Sequence, residues 1–221
     1  MNKYSSIKKA CEINDIIFKE IISNFNFKTE KDIEKFIKKR FKNFKVKQAY
    51  DPIVANNNSI IHPKPRNKKI ERGFLLLDFG CKVNGYCSDM TRTLFIGNPN
   101  DYEKKIYHLV LNCQEKCIKK LKINYPYCDL EIYARMLLKD YKSYFTHSLG
   151  HGLSKKIHDN PKVSVVSKDK VTKGQFITIE PGVYFKDKKE VGIRIEDTIY
   201  IGNKIEILSK SPKKLINAVS S

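Results

Sequence analysis

The sequence predicts a chain of the α/β (α+β) class, in which helices and strands come in two successive runs. Three observations carry this. Two amphipathic helical stretches precede a block of strands, and the order of two helices and then strands returns in the second half. An apolar stretch at 75–81 leads through Asn84-Gly85, a strong two-residue hairpin signal, into a returning strand at 86–95. With 221 residues and 41% apolar content, the chain can bury a sizeable core as one domain over 1–221.

Taken in order, Ile7, Ala10, Cys11, Ile17, Phe18, Ile21 and Ile22 recur at helical spacing from residue 4 to about 24, and Asn14 alone interrupts the stripe. Thr29, three residues before Asp32, has the pattern of a capping box and opens a second helix built on Ile33, Phe36, Ile37 and Phe41. Residues 46–49 read as a strand, Asp51-Pro52 breaks it, and 53–55 lead into a polar turn at 56–58. His62 then ends the short apolar run Ile60-Ile61, where a structural imidazole and a functional one are both open readings. The hairpin follows the turn at 71–73. Its two-residue turn sets Asp78 opposite Thr91 and diagonal to Asp89, so that two carboxylates share one sheet face. Burial disfavours an unpaired charged carboxylate. Ion pairs to Arg72 and Arg92, or a bound cation, would each relieve that cost.

Asn98, capping before Pro99, opens a long helix with the stripe Ile106, Leu109, Val110, Cys113, Cys117 and Leu121. A further helix begins after Asp129, with Leu130, Tyr133, Met136, Leu137 and Tyr141 facing inward. Residues 145–161 carry His147, His151 and His158 among glycines with little helix signal, the pattern of a loop or short strands that bring imidazoles to a cleft. An apolar strand ends on Glu180, and another holds Glu196. Gly202-Asn203 turns the chain into a strand at 205–208, and the Lys-rich stretch from Ser209 is expected at the surface.

The formal net charge of +19 raises the question of a nucleic-acid partner. Nearly all of that charge is Lys, spread over the whole chain. Arg, which reads bases and phosphates bidentately, occurs only at 40, 66, 72, 92, 135 and 194. No specific nucleic-acid partner is expected. Charged residues interrupt the first thirty positions, so no secretory signal is read there, and no apolar run reaches membrane-spanning length. The six cysteines lack a Cys-x-x-Cys pair, which fits reduced thiols and a cytoplasmic location.

Asp78, Asp89, Glu180 and Glu196 thus lie in or beside apolar strands, and His151 lies in the glycine-rich segment. Four carboxylates and one imidazole can hold two divalent ions, and so oxygen-rich a set favours manganese, iron or cobalt over a thiolate type of zinc site. Two such ions can share a hydroxide and polarise a carbonyl, while spare histidines shuttle protons or bind an oxyanion.

The segments YDPIVANNNSIIH, ERGFLLLDFG, GYCSDMTRT, HSLGHGL, IHDNP, FITIEPGVY and GIRIEDT resemble, in order and spacing, the pita-bread metallopeptidases of the Xaa-Pro aminopeptidase and prolidase branch. The resemblance covers nearly the whole chain. It implies a curved, mainly antiparallel sheet with helices on its outer face and pseudo-twofold symmetry. It further implies Asp78, Asp89, His151, Glu180 and Glu196 as ligands of two divalent metal ions, Mn²⁺ first and Co²⁺, Fe²⁺ or Zn²⁺ as alternatives, with Asp89 and Glu196 bridging. Glu180 would also handle the proton of the attacking water. His62, His147 and His158 would be catalytic and substrate-contacting residues, with Arg194 behind the ligands. A histidine four residues before His151 marks the proline-directed members and sets them apart from methionine aminopeptidases.

The implied activity is removal of the amino-terminal residue of a peptide substrate when proline follows it, an Xaa-Pro aminopeptidase. Methionine aminopeptidase, Xaa-Pro dipeptidase and a non-enzymatic peptide- or nucleic-acid-binding relative are the alternatives. Full-length members carry an amino-terminal domain that helps them dimerise, and this chain starts almost at the catalytic domain, which leaves a homodimer open. Asp159 stands where Glu is commoner in the family.

Overall fold

The structure, a computed structural model, describes residues 1–187 and 190–218. Helices α1 (Lys3–Ser23) and α2 (Glu30–Asn43) form where their apolar periodicity places them, and Thr29 and Asp32 complete the capping box on α2. Their buried stripes pack on Leu75, Leu77 and Phe79. Strands β1 (Lys47–Gln48) and β2 (Ile53–Asn56) follow, and then β3 (Gly73–Asp78). Side chains alternate across a strand, so with Leu75 and Leu77 on the helices, Leu76 and Asp78 face the other way. That alternation sends Asp78 to the side away from α1 and α2.

The predicted register holds at the centre of the hairpin, where Asp78 pairs with Thr91, but the two long strands are interrupted. Strands β4 (Cys81–Val83) and β5 (Tyr86–Cys87) leave the main sheet and pair with each other and with β1. Regular pairing resumes at β6 (Thr91–Ile96). Positive φ at Asn84 (49°) and Gly85 (82°) makes the tight turn. At Gly80 the two arms press together so closely that a Cβ would lie 2.0 Å from the Ser88 carbonyl oxygen. Asp89 lies in this break, outside the ladder, while Asp78 stays paired at its edge.

Helix α3 (Asp101–Lys120) starts two residues later than its Pro99 suggests, because Asn100 and Glu103 form a reciprocal capping box that Asn98 does not. Helix α4 (Tyr127–Leu137) starts earlier than predicted, directly after Pro126, and gives way to a 3₁₀ segment, Lys139–Tyr144, past a positive φ of 51° at Lys139. Its buried face is Tyr127, Leu130, Glu131 and Ala134, so Met136 is 63% exposed instead of inward. Cys113 and Cys117 do lie in the core stripe.

Strands β7 (Gly150–Gly152), β8 (Asp159–Val163), β9 (Phe176–Ile179), β12 (Asp197–Ile201) and β13 (Ile205–Ile207) make an antiparallel sheet in the order β13-β12-β9-β7-β8. Strands β10 (Gly182–Lys186) and β11 (Glu190–Arg194) pair as a hairpin. The stretch after Ser209 is not a surface tail over its described length. Ser209 and Ser211 are buried, and β14 (Asn217–Ala218) adds to β6 in parallel, completing the sheet β14-β6-β3-β2.

The halves join where β6 meets β11. Thr93 Oγ1 donates to the Arg194 carbonyl at 2.9 Å, and the Glu196 N–H donates to the Thr91 carbonyl at 3.1 Å. Arg92, 1% exposed, crosses this seam to Asp197 Oδ1 at 2.7 Å and also donates to the Glu196 and Ser211 carbonyls. The other Asp197 oxygen accepts from Gln114 Nε2 and Lys213 Nζ, each at 2.8 Å. Arg72 pairs with Glu103, so neither arginine of the ion-pair alternative meets Asp78 or Asp89.

Burial pushes the Asp197 carboxyl up, but Arg92 and Lys213 outweigh it and hold the pKa below its ordinary value. Asp197 therefore contributes stability that is fully present above the unfolded-chain pKa of about 3.9 and is lost as pH falls through the lower folded value. Arg92→Met should cost about 3–5 kcal/mol in urea unfolding at pH 7 by stranding a buried carboxylate. The deficit relative to the parent should shrink as the pH of the melt approaches 3.

Candidate metal centre

Five predicted residues from both halves line one cavity of about 640 Å³. Asp78 ends β3, Asp89 precedes β6, His151 is central in β7, Glu180 follows β9, and Glu196 joins β11 to β12. Asp89, Glu180 and Glu196 lie just outside strands, while Asp78 and His151 stay within theirs. Asp89, His151 and Glu196 each offer a ligand atom within 4.8 Å of one another. Glu180 Oε1 is 3.3 Å from His151 Nε2, and the Tyr50 hydroxyl links Asp78 Oδ1 to Asp89 Oδ1. The second Asp78 oxygen is held by the Arg194 guanidinium.

The donor set fits hard divalent cations. His151 Nδ1 lies 3.0 Å from the Gly152 carbonyl, a contact that needs the proton on Nδ1 and leaves a lone pair on Nε2. That lone pair faces Asp89 Oδ2 at 3.5 Å and Glu180 Oε1 at 3.3 Å. Burial holds the His151 pKa down to about 4, so at neutral pH the ring is uncharged and these contacts repel unless a proton or a cation lies between them. Glu196 Oε1 is buried without a hydrogen-bond partner among the described residues, while its Oε2 accepts from Thr91 Oγ1 at 2.7 Å. Tyr50 has one proton for two aspartate oxygens. Burial, reinforced by the neighbouring acids, raises the pKa values of Asp89, Glu180 and Glu196 well above the carboxylate range. An orphaned oxygen, an imidazole lone pair and crowded acids are the arrangement a cation relieves.

Residues 5–203 match the family model of metallopeptidase family M24. The chain belongs to that family. It is 36% identical over 218 residues to the Xaa-Pro dipeptidase of Pyrococcus furiosus, covering 95% of this chain and 62% of that relative. The solved prolidase of Thermococcus sibiricus superposes with a TM-score of 0.91 at 33% identity, over 97% of this chain and 60% of the other. The X-Pro aminopeptidase of Thermotoga maritima gives 0.90 at 32%, over 98% and 63%. The chain thus spans about three-fifths of these relatives' length, and its architecture is the pita-bread fold that the sequence resemblance implies.

In this M24 chain the remaining predicted histidines line an adjoining cavity of about 540 Å³; His62, His151, His158 and Glu180 are shared between the two, and His147 belongs to the second alone. His62 and His158 are exposed on its wall, and the His158 ring centre is 4.5 Å from that of His151. His147 is set deeper. Arg194 Nη1 donates to the Tyr184 hydroxyl at 2.6 Å, that hydroxyl donates to His147 Nε2 at 3.0 Å, and His147 Nδ1 donates to the Ser148 carbonyl at 2.9 Å. Burial holds the His147 pKa down to about 3, so this relay has one fixed tautomer.

Sequence reasoning assigned no role to Tyr50, Tyr184, Glu131 or Arg135. Glu131, buried on α4, accepts from the Leu149 N–H at 3.1 Å, and Arg135, paired with it at 2.6 Å, donates to the Phe145 carbonyl at 3.0 Å. This pair pins the segment that leads to His151. In the sequence it reads as an ordinary i,i+4 helix pair. Tyr50 sits in a segment quoted for the resemblance, yet nothing local distinguishes it from the other tyrosines.

The raised carboxyl pKa values mean that the metal-free fold binds protons more tightly than the unfolded chain at these acids. Their stability contribution is present at low pH and lost as pH rises through the raised folded values. Cations compete with those protons. Added Mn²⁺ should therefore raise the thermal midpoint more at pH 8 than at pH 6, and its binding should release protons, read by calorimetry in buffers of different ionisation enthalpy.

Proposed function

We propose that residues 1–221 form the catalytic domain of a cytoplasmic, metal-dependent Xaa-Pro peptidase whose preferred substrate is a dipeptide ending in proline. The observation that carries this is the buried acid–imidazole cluster with its orphaned Glu196 oxygen, opening onto a histidine-walled cavity. Relatives named Xaa-Pro dipeptidase and prolidase support the dipeptidase reading more strongly than the aminopeptidase reading with which the sequence began. The match to an X-Pro aminopeptidase keeps the latter as the second reading.

In this proposal Asp78, Asp89, His151, Glu180 and Glu196 would hold two divalent ions, Mn²⁺ being our first choice. When bound, the ions lower the pKa of a water towards neutrality and polarise the scissile carbonyl. Glu180, once the ions have displaced its own proton, would take the proton of that water and return it to the leaving nitrogen. His158 and His62, exposed on the cavity wall, bind the developing oxyanion and the peptide. His147, fixed by Tyr184 and Arg194, offers a neutral ring to the substrate. Arg194 restrains Asp78 from behind.

With Mn²⁺ present, Ala-Pro and Leu-Pro should be hydrolysed with higher kcat/KM than Ala-Pro-Ala. Preferential cleavage of the tripeptide favours the aminopeptidase, and cleavage of Met-Ala peptides without proline overturns proline specificity. Asp89→Asn and His151→Ala should each abolish turnover with the circular dichroism spectrum unchanged. Substantial residual hydrolysis in either contradicts the ligand assignment.

A further inference from the structure

One stripe of α1, with residues four apart, runs along the hairpin that carries Asp78 and Asp89. At the turn, Asn84 Nδ2 donates to Ser6 Oγ at 3.3 Å. In the middle, Cys81 Sγ lies 3.5 Å from the Ala10 carbonyl. At the far end stands Asn14, fully buried and, with Ser6, one of two polar residues on the buried face of the helix. Its Nδ2 donates to Ser88 Oγ at 2.9 Å and to the Phe79 carbonyl at 3.3 Å. Those two residues are the immediate neighbours of Asp89 and Asp78.

The contact falls where the sheet ladder is broken. Across that break the backbone keeps Phe79 N–H to Met90 carbonyl at 3.2 Å and Ser88 N–H to Cys81 carbonyl at 2.9 Å. Ser88 Oγ extends the link, accepting from Cys81 N–H at 3.1 Å and donating to the Cys81 carbonyl at 3.3 Å. Asn14 Oδ1 meanwhile is buried with no partner among the described residues. The buried amide is only half satisfied, and both of its hydrogen bonds run to the hairpin and none to α1. The residue is thus better suited to fixing the two arms of the hairpin than to stabilising the helix.

We propose that Asn14 is a positioning residue: by tying Phe79 to Ser88 it sets the separation of Asp78 and Asp89, and with it the fit of the centre to a pair of divalent cations. The inference rests on reading Asp78 and Asp89 as ligands. Supporting groups that orient ligands in this way typically change metal affinity by about ten- to a hundredfold when removed.

The test uses the full chain with Asn14→Leu, Ser88→Ala and the double variant. Mn²⁺ affinity is read from the electron paramagnetic resonance signal of free Mn²⁺, and the thermal midpoint is measured in EDTA. Each single variant should bind Mn²⁺ about ten- to a hundredfold more weakly. The double variant should be no weaker than the weaker single, as expected of partners in one contact. The EDTA midpoint of Asn14→Leu should stay within about 4 °C of the parent. Parental Mn²⁺ affinity in Asn14→Leu, or losses that add in the double variant, overturns the positioning role alone. A parent chain that takes up no Mn²⁺ overturns the metal-centre reading and this inference with it. Should Asn14→Leu fail to fold, Ser88→Ala carries the same test, since it removes the acceptor and leaves α1 intact.

Discussion

Mutual repulsion among buried carboxylates is the constraint to which the rest of this structure answers. Asp78, Asp89, Glu180 and Glu196 share one cavity, and Arg194 is the guanidinium set against them. Two like charges about 4 Å apart interact by about 4 kcal/mol at an effective dielectric constant of 20, an amount comparable to the net stability of many domains. A chain does not gather such groups for stability. It gathers them where a cation offsets the repulsion, and the fold must hold them in place before the cation arrives.

That rigidity comes from the way the halves are joined. Each half packs two helices on its own sheet, and four of the candidate ligands stand at or next to strand ends, with His151 in the middle of β7. At the seam, Arg92, Asp197, Gln114 and Lys213 form a buried polar group in which both carboxylate oxygens of Asp197 are satisfied. Asp197 is the chain neighbour of Glu196, so the network that closes the seam also fixes the backbone beneath a candidate ligand. On the opposite side, Glu131 and Arg135 of α4 do the same for the segment before His151. Hydrogen bonds of this kind convert an electrostatically unfavourable cluster into one defined geometry.

The two cavities share one wall. The acids crowd the first, His62, His151, His158 and Glu180 line both, and His147 stands in the second. A neutral, oriented imidazole such as that of His147 beside a candidate cation-binding cluster is suited to a polar, uncharged group such as a peptide carbonyl. The relay from Arg194 through Tyr184 to His147 shows how one arginine restrains a candidate ligand and fixes a histidine tautomer together.

Much of this was legible in the chain itself. Apolar periodicity and the Thr29 capping box located α1 and α2, Asn84-Gly85 fixed the hairpin register, and the acids stood out because each interrupts or ends an apolar run. Those signals are local, and local sequence carries them in full. The starts of α3 and α4, the side on which Met136 lies, the break in the hairpin and the burial of Ser209 and Ser211 were misread, because capping partners, helix packing and an arginine from another strand decide them. Tyr50, Glu131 and Asn14 were invisible as site-building residues for the same reason. Sequence by itself determined which side chains are able to bind a cation and the strands that carry them. Only the tertiary structure decided which atoms meet, which proton sits where and which distant groups hold them, since those depend on contacts between residues far apart along the chain.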